Sequence, residues 1–109
     1  IEPRDLVGKP IMVSRQALAE DLPKWFGDDV SKLQVAVSLD LTYNGSILAR
    51  EGIGYLLTFE GLASTGSDSP LIFKPLRPEL TTNMYVIWRR NQKCTQAGEL
   101  FLETLKTVC

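Results

Sequence analysis

The sequence predicts an α/β fold with a mostly parallel sheet. Its first five elements read in the order strand, helix, strand, helix, strand. This order gives two successive β-α-β units. In such units the strands pair in parallel, and the connection between them is a right-handed crossover. A glycine-x-glycine turn at Gly52 and Gly54 leads directly from the second helix into a short apolar strand. A buried parallel strand has this continuous apolar pattern.

Composition limits the protein to one small domain of ordinary character. The chain has 109 residues, of which 44% are hydrophobic and 23% are charged. The net charge of −1 provides no basic surface for sequence-independent contact with nucleic acid. No apolar run approaches the roughly 20 residues that a membrane-spanning helix needs, so we expect no membrane contact.

The first strand and the first helix come from residues 10–27. Pro10 lacks an N–H group and is tolerated only at the start of a strand, which we place at Pro10–Val13. Ser14 suits the N-cap of the helix that follows. Pro23 conflicts with a continuous helix and predicts a kink or a restart, and Gly27 ends the helix. The apolar positions of this helix are Leu18, Leu22, Trp25 and Phe26.

The second strand, second helix and third strand follow without a long loop. Residues 33–39 alternate between apolar and polar side chains, which predicts a strand with one face more buried. Asp40 or Thr42 can cap the next helix. Gly52 falls where a helix C-terminus requires a positive φ. The apolar run at 53–57 predicts the third strand, placed at residues 54–59.

The remaining third of the chain predicts a solvated loop, two more strands and a helix. The loop covers residues 61–70, the strands cover 71–73 and 84–88, and a charged break follows at 89–93. Thr95 can cap a terminal helix with Phe101, Leu105 and Val108 on one apolar stripe. The residues expected in the strand core are Met12, Val35, Val37, Tyr55 and Leu57.

Four segments, in this order, resemble the second half of the effector-binding region of LysR-type transcriptional regulators. DLVGKPIMVSR resembles the strand that enters the second lobe, and ILAREGIGYLLTFE resembles the family's helix-glycine-x-glycine-strand signature. LIFKPLRPELTTNMYVIWRRN resembles the paired strands before the return to the first lobe, and TQAGELFLETLK resembles the terminal helix. The resemblance covers residues 5–108. It implies a Rossmann-like sheet forming one lobe of a periplasmic-binding-protein-like (type II) fold.

The resemblance also implies a domain organisation. Residues 1–109 would form a truncated effector-binding subdomain, with about 10–90 as the second lobe and about 91–109 as a helix belonging to the first lobe. The family's full chain carries an N-terminal winged helix-turn-helix, a linker helix and two lobes that enclose a small effector. We therefore expect a regulatory sensor that reaches DNA only through the missing helix-turn-helix domain. Because the terminal helix would lack its partner lobe, we expect homo-oligomers.

Candidate site residues lie where parallel strands end and the following helices begin, since α/β sheets bind small molecules there. They are Ser14, Arg15, Thr42, Tyr43, Asn44 and Thr58. Helix N-termini favour anions, so a small carboxylate is the natural candidate for the effector. Simpler roles stay open for each position. Ser14 can serve only as a cap, residues 42–44 can serve capping and packing, and Thr58 can pair with local backbone.

Catalysis has little support in the sequence, and we expect neither enzyme activity, nor a cofactor, nor a bound metal. The chain has no histidine, no Gly-x-Ser-x-Gly elbow and no phosphate-binding glycine-rich loop. Its two cysteines, Cys94 and Cys109, lack metal-ligand spacing and lie too far apart along a helix to form a disulfide. Two free thiols fit a reducing compartment, which predicts a cytoplasmic protein.

Two other classes of function stay open. One lobe of an extracytoplasmic solute-binding protein shares the predicted architecture, and it is the main alternative to a transcriptional regulator. A small α/β enzyme is the third class, and the missing histidine and motifs disfavour it.

Arg89 and Arg90 can clamp a carboxylate or serve as a solvated hinge, and the hinge is the simpler interpretation.

Overall fold

The computed structural model describes residues 1–89, 91 and 93–108, so the predictions that concern Arg90 and Cys109 lie outside the described residues. The protein contains a parallel three-stranded sheet together with helices, as the α/β prediction requires. The strands are β1 (Pro10–Val13), β2 (Gln34–Ser38) and β3 (Tyr55–Leu56), arranged in the order β2-β1-β3. The chain thus places β2 on one side of β1 and then returns to place β3 on the other.

Helices connect the strands and frame the sheet. They are α1 (Pro3–Leu6), a π-helical turn (Ala17–Asp21) that continues into α2 (Leu22–Phe26), a 3₁₀-helix (Gly27–Lys32), α3 (Thr42–Arg50) and α4 (Gln96–Val108). The acidic stretch that begins at Gly27, where the first helix was predicted to end, forms the 3₁₀-helical turn. The terminal helix is present over nearly its predicted range.

A π-helical turn resolves the conflict that Pro23 creates. Proline cannot donate to the carbonyl four residues earlier, and its ring crowds that carbonyl. The N–H group of Leu22 donates to the carbonyl of Ala17, five residues back, which widens the helix just before Pro23. At the start of this helical segment, Ser14 Oγ accepts from the N–H group of Ala17 at 3.1 Å. The predicted Ser14 cap is confirmed, and the predicted kink takes the form of the π-helical turn.

The core lies between β1 and α2. Its buried cluster contains Leu6, Ile11, Val13, Leu22, Trp25 and Phe26, with Val35 and Leu57 packed against it. Successive strand residues point to opposite faces, so Met12, also buried, points away from α2. Leu56, which pairs with Met12, lies against Gly45 of α3. The two connecting helices therefore cover opposite faces of the sheet.

Four of the five predicted core residues are less buried than expected, and only Met12 is fully buried. Val35, Val37 and Leu57 are half-buried, and Tyr55 is 57% exposed. The prediction for Tyr55 is wrong because β3 is an edge strand, and no other strand among the described residues covers its outer side. In β2, one residue is inserted between Val35 and Val37 relative to β1, and this bulge shifts the register.

The predicted strands at 71–73 and 84–88 are absent, and the third strand is shorter than predicted. Neither segment pairs with the sheet, and Ile72, Met84 and Ile87 are 74%, 94% and 89% exposed. Apolar and β-branched side chains favour a strand only where a pleated, half-buried surface is offered to them. Here the sheet ends at β3, and residues 71–73 and 84–88 do not lie on such a surface.

The glycine-x-glycine turn is required by the backbone at both positions. Gly52 has a φ of 75°, and its N–H group donates to the carbonyl of Ala49 while that of Ile53 donates to Leu48. These two bonds form a Schellman motif that ends α3. At Gly54 a Cβ atom would lie 2.5 Å from the carbonyl oxygen of Pro10. This close approach lets β3 begin directly beside β1.

The chain is extended for its length. Its radius of gyration is 17.4 Å, whereas about 13 Å is typical of a compact domain of this size. Several large apolar side chains of α4 are exposed, among them Leu100, Phe101 and Val108. Much of the apolar surface in the last third of the chain is therefore open to solvent.

Candidate functional site

A cleft of about 360 Å³ opens at the carboxyl ends of β1 and β3. Val13 and Ser14 contribute to it from the end of β1, while Leu57 and Thr58 follow β3. The chain reverses its direction of strand addition between these two strands, and α/β sheets bind ligands at such a switch point. The cleft volume also lies within the usual range for small-molecule sites.

The cleft has apolar walls with a few polar groups. Val13, Leu22 and Leu57 form the wall contributed by the sheet and the first helical segment, and Leu76, Leu80 and Met84 line the cleft from an irregular segment. This combination of apolar walls with few convergent polar groups is characteristic of small-molecule sites.

Thr42 and Thr58 meet at the edge of the cleft. Their hydroxyl oxygens lie 3.0 Å apart, and both side chains are half-buried. Either hydroxyl can be the donor. The bond joins the first residue of α3 to the segment that follows β3, so it links two elements that line the cleft.

The predicted caps of α3 are wrong. Leu41 is the N-cap residue, and no side chain makes a capping hydrogen bond there. Thr42 lies one position inside the helix, with its hydroxyl turned toward Thr58. The carboxylate of Asp40 faces Arg15 instead of the helix start. Polar side chains near the beginning of α3 thus serve contacts between elements.

Arg15 and Asp40 form an ion pair at the rim of the cleft. Arg15 Nε lies 3.3 Å from Asp40 Oδ1, and a second bond joins Nη2 to Oδ2. The hydrogen bond and the negative charge of Asp40 raise the pKa of the Arg15 guanidinium above its ordinary value. Both side chains are largely exposed, so the pair contributes little to stability. Asp40 lines the cleft, whereas Arg15 reaches it only through this pair.

The structure brings three of the six predicted site residues into one cleft: Ser14, Thr42 and Thr58. Arg15 lies at the rim. Tyr43 and Asn44 are exposed and lie outside the cleft, because successive helical positions rotate away from the face that Thr42 occupies. Contact of these two residues with an effector stays a prediction.

Several lining residues were not predicted. Gln16 and Asp21 come from the first helical segment, and Thr82 and Asn83 come from the irregular segment beyond Leu80. Ala17 and Asp21 stand four residues apart and both line the cleft, so helical spacing from Ser14 would have suggested Asp21. No sequence pattern indicated residues 82 and 83, since they follow no strand.

Comparisons with protein-family models, curated proteins and solved structures found no match to this chain. Among the residues that the structure describes, no group of three or more histidine, cysteine or acidic side chains is placed to hold a metal ion. None of the described helices has the length and apolar character needed to cross a membrane.

Proposed function

We propose that this chain is the effector-sensing unit of a LysR-type transcriptional regulator and that it binds a small molecule in the cleft between β1 and β3. Residues 10–90 would form the second lobe of a periplasmic-binding-protein-like (type II) fold, and residues 91–109 a helix that packs on the first lobe. The intact protein would act on DNA through a helix-turn-helix domain outside this chain. It would be cytoplasmic and homo-oligomeric.

The observation that carries the proposal is the convergence of Ser14, Thr42 and Thr58 on one cleft. These residues come from three separate segments and are far apart in sequence. They were expected at an effector site because each follows a parallel strand or begins the next helix. Their meeting at the switch point of the sheet supports a binding function for that face.

The site is better suited to binding than to catalysis. Its hydroxyl pair, Thr42 and Thr58, contains no general base, and the chain has no histidine that could activate a hydroxyl. Asp21 and Asp40 are the carboxylates of the cleft, and no hydrogen bond joins either of them to a cleft hydroxyl among the described residues. Such a site can recognise a ligand without changing it.

Binding in this cleft can be coupled to a change of conformation. One side is formed by parallel strands and helices, while the other is formed by the irregular segment around residues 76–84. A ligand that contacts both sides favours the arrangement in which they are close together. It shifts the population only by its difference in affinity for the two arrangements.

The proposal can be tested in two stages. The first reads the coding sequence upstream of Ile1, where an in-frame helix-turn-helix supports a regulator and neighbouring transporter genes support a solute-binding protein. The second stage measures transcription of a reporter gene from the promoter that the intact regulator controls. A panel of small amines, alcohols and carboxylic acids then identifies compounds that change transcription.

Valine substitutions connect the response to the cleft. Thr42→Val and Thr58→Val remove a hydroxyl and keep the shape of the side chain. Each should raise the effector concentration for half-maximal response about tenfold, because a ligand would lose a hydrogen bond in a half-closed site. Thr65→Val, on an exposed loop outside the cleft, is the matched control. An unchanged response in both cleft variants, with the protein folded, would overturn the proposal.

A further inference from the structure

We propose that the ligand of this cleft is a small organic cation, a primary amine or a guanidinium carried on an apolar body, with Asp21 as its counter-charge. This inference rests on the proposed function only in taking the cleft as the binding site. It replaces the anionic effector expected from helix N-termini with the opposite charge.

The charges that line the cleft are negative. Asp21 and Asp40 both line it, and no lysine or arginine does so within the described part of the chain. Arg15 stands at the rim, but its guanidinium is already engaged by Asp40. A carboxylate ligand would therefore meet one uncompensated negative charge, and the described residues that line the cleft offer it no lysine or arginine.

Asp21 is the carboxylate without a counter-charge. Its side chain is half-buried, and no lysine, arginine or N-terminal amine among residues 1–89, 91 and 93–108 lies within ion-pair distance. A carboxylate placed beside apolar walls loses part of its hydration. A cation bound in the cleft would form an ion pair with the Asp21 carboxylate. Only a positively charged ligand can gain binding free energy from this pair.

The backbone around Asp21 determines where its side chain lies relative to the cleft. Asp21 ends the π-helical turn that begins at Ala17, and both residues line the cleft. A π-helical turn changes the direction of the side chains that follow it, and such turns are frequent at functional sites. Pro23 provides the local cause of the turn, and the position of Asp21 beside the cleft is its consequence.

The remaining lining suits an apolar body with hydrogen-bonding capacity nearby. Leu57, Leu76 and Leu80 provide half-buried apolar surface, and the hydroxyls of Thr42 and Thr58 lie along one edge. A ring or a short branched chain fills such a space and excludes water from the ion pair. The apolar contacts would supply affinity, and Asp21 would supply the selection by charge.

Three probes of similar size separate charge from shape: 2-phenylethylamine, 2-phenylethanol and 3-phenylpropionate. Each is titrated into the 109-residue chain at pH 7 and followed by amide chemical shifts in two-dimensional NMR. The amine should bind about tenfold more tightly than the alcohol, since a charge-assisted hydrogen bond is stronger than a neutral one. The acid should bind most weakly.

Substitutions of Asp21 assign the preference to one residue. Asp21→Asn should bring the dissociation constants of the amine and the alcohol together, while Asp21→Glu should retain the preference for the amine. Asp68→Asn removes a carboxylate from the exposed loop outside the cleft and should leave all three constants unchanged.

Each contrary result overturns the inference. The inference is wrong if the acid binds most tightly, if the three probes bind equally, or if no probe binds. It is also wrong if the preference for the amine survives in Asp21→Asn. Tightest binding of the acid at the cleft would leave the proposed effector-sensing function standing. Failure of that function would appear separately, as an effector response that Thr42→Val and Thr58→Val do not alter.

Discussion

The hydroxyl oxygens of Thr42 and Thr58 lie 3.0 Å apart although the two residues are separated by 16 positions in sequence. Their bond joins the beginning of α3 to the chain just beyond β3 and closes one edge of the cleft. Both residues also line the space where a ligand would bind. The bond is therefore part of the fold and part of the candidate site.

We predict that this bond stabilises the fold measurably. Thr42→Val and Thr58→Val should each lower the free energy of unfolding by about 0.5–1.5 kcal/mol. The double variant should cost less than the sum of the two, because the same bond is lost in each case. Urea unfolding of the four proteins measures the coupling, with Thr65→Val as the unaffected control. Strict additivity would show that the two hydroxyls do not interact.

A second prediction concerns the close approach of β3 to β1. Gly54→Ala should lower the free energy of unfolding by about 1–3 kcal/mol, since its Cβ atom would lie 2.5 Å from a backbone oxygen of Pro10. Gly66→Ala is the control, because a Cβ atom there meets nothing within 4 Å. Thermal unfolding compares the two variants. Equal melting temperatures would contradict the packing of these strands.

A third prediction concerns the anchor between α2 and the irregular segment. Trp25 is buried, and its indole N–H group donates to the carbonyl of Pro78 at 2.6 Å. Trp25→Phe leaves that carbonyl without its donor and reduces packing, so we expect a loss of about 1–3 kcal/mol in unfolding free energy. Trp88→Phe changes a side chain that is 62% exposed and should have little effect. Guanidinium unfolding of the two variants tests the difference, and equal stabilities would contradict it.

A fourth prediction concerns association through α4. Phe101 and Val108 are 57% and 75% exposed on one apolar stripe, and exposed apolar surface of this kind promotes association. We expect the chain to form dimers or larger species, and Phe101→Glu with Val108→Glu to shift it toward the monomer. Thr107→Glu adds a charge elsewhere on the exposed surface of α4 and serves as the control. Light scattering across a concentration series measures the mass, and a monomer at every concentration would exclude this mode of association.

Local signals predicted the first half of the fold well. Pro10 marked the start of β1, the alternation at 33–39 marked β2, and Gly52 ended α3 with the positive φ that it was expected to have. Each of these signals acts within a few residues of the position that it determines. The positions of Ser14, Thr42 and Thr58 at one cleft then followed from parallel strand order.

The second half of the chain could not be predicted in the same way. The segments at 71–73 and 84–88 have the composition of strands, but composition does not specify a pairing partner, and neither segment pairs with the open edge of β3. Tyr55 failed as a core residue because sequence does not show which strand lies at the edge. Asp21 was overlooked although helical spacing from Ser14 pointed to it, and residues 82 and 83 reach the cleft through an irregular path that no local signal indicates.

Mapping where small molecules bind on this chain tests directly whether the cleft between β1 and β3 is a ligand site. Amides are assigned by NMR, and a panel of small primary amines, alcohols and carboxylic acids is titrated against the protein. We predict that the ligands that bind shift the amides of Ser14, Thr42 and Thr58 together, with the amides around Tyr43 shifting less. Shifts confined to α4 or to the 3₁₀-helix at Gly27–Lys32, with the cleft amides unmoved, would contradict it.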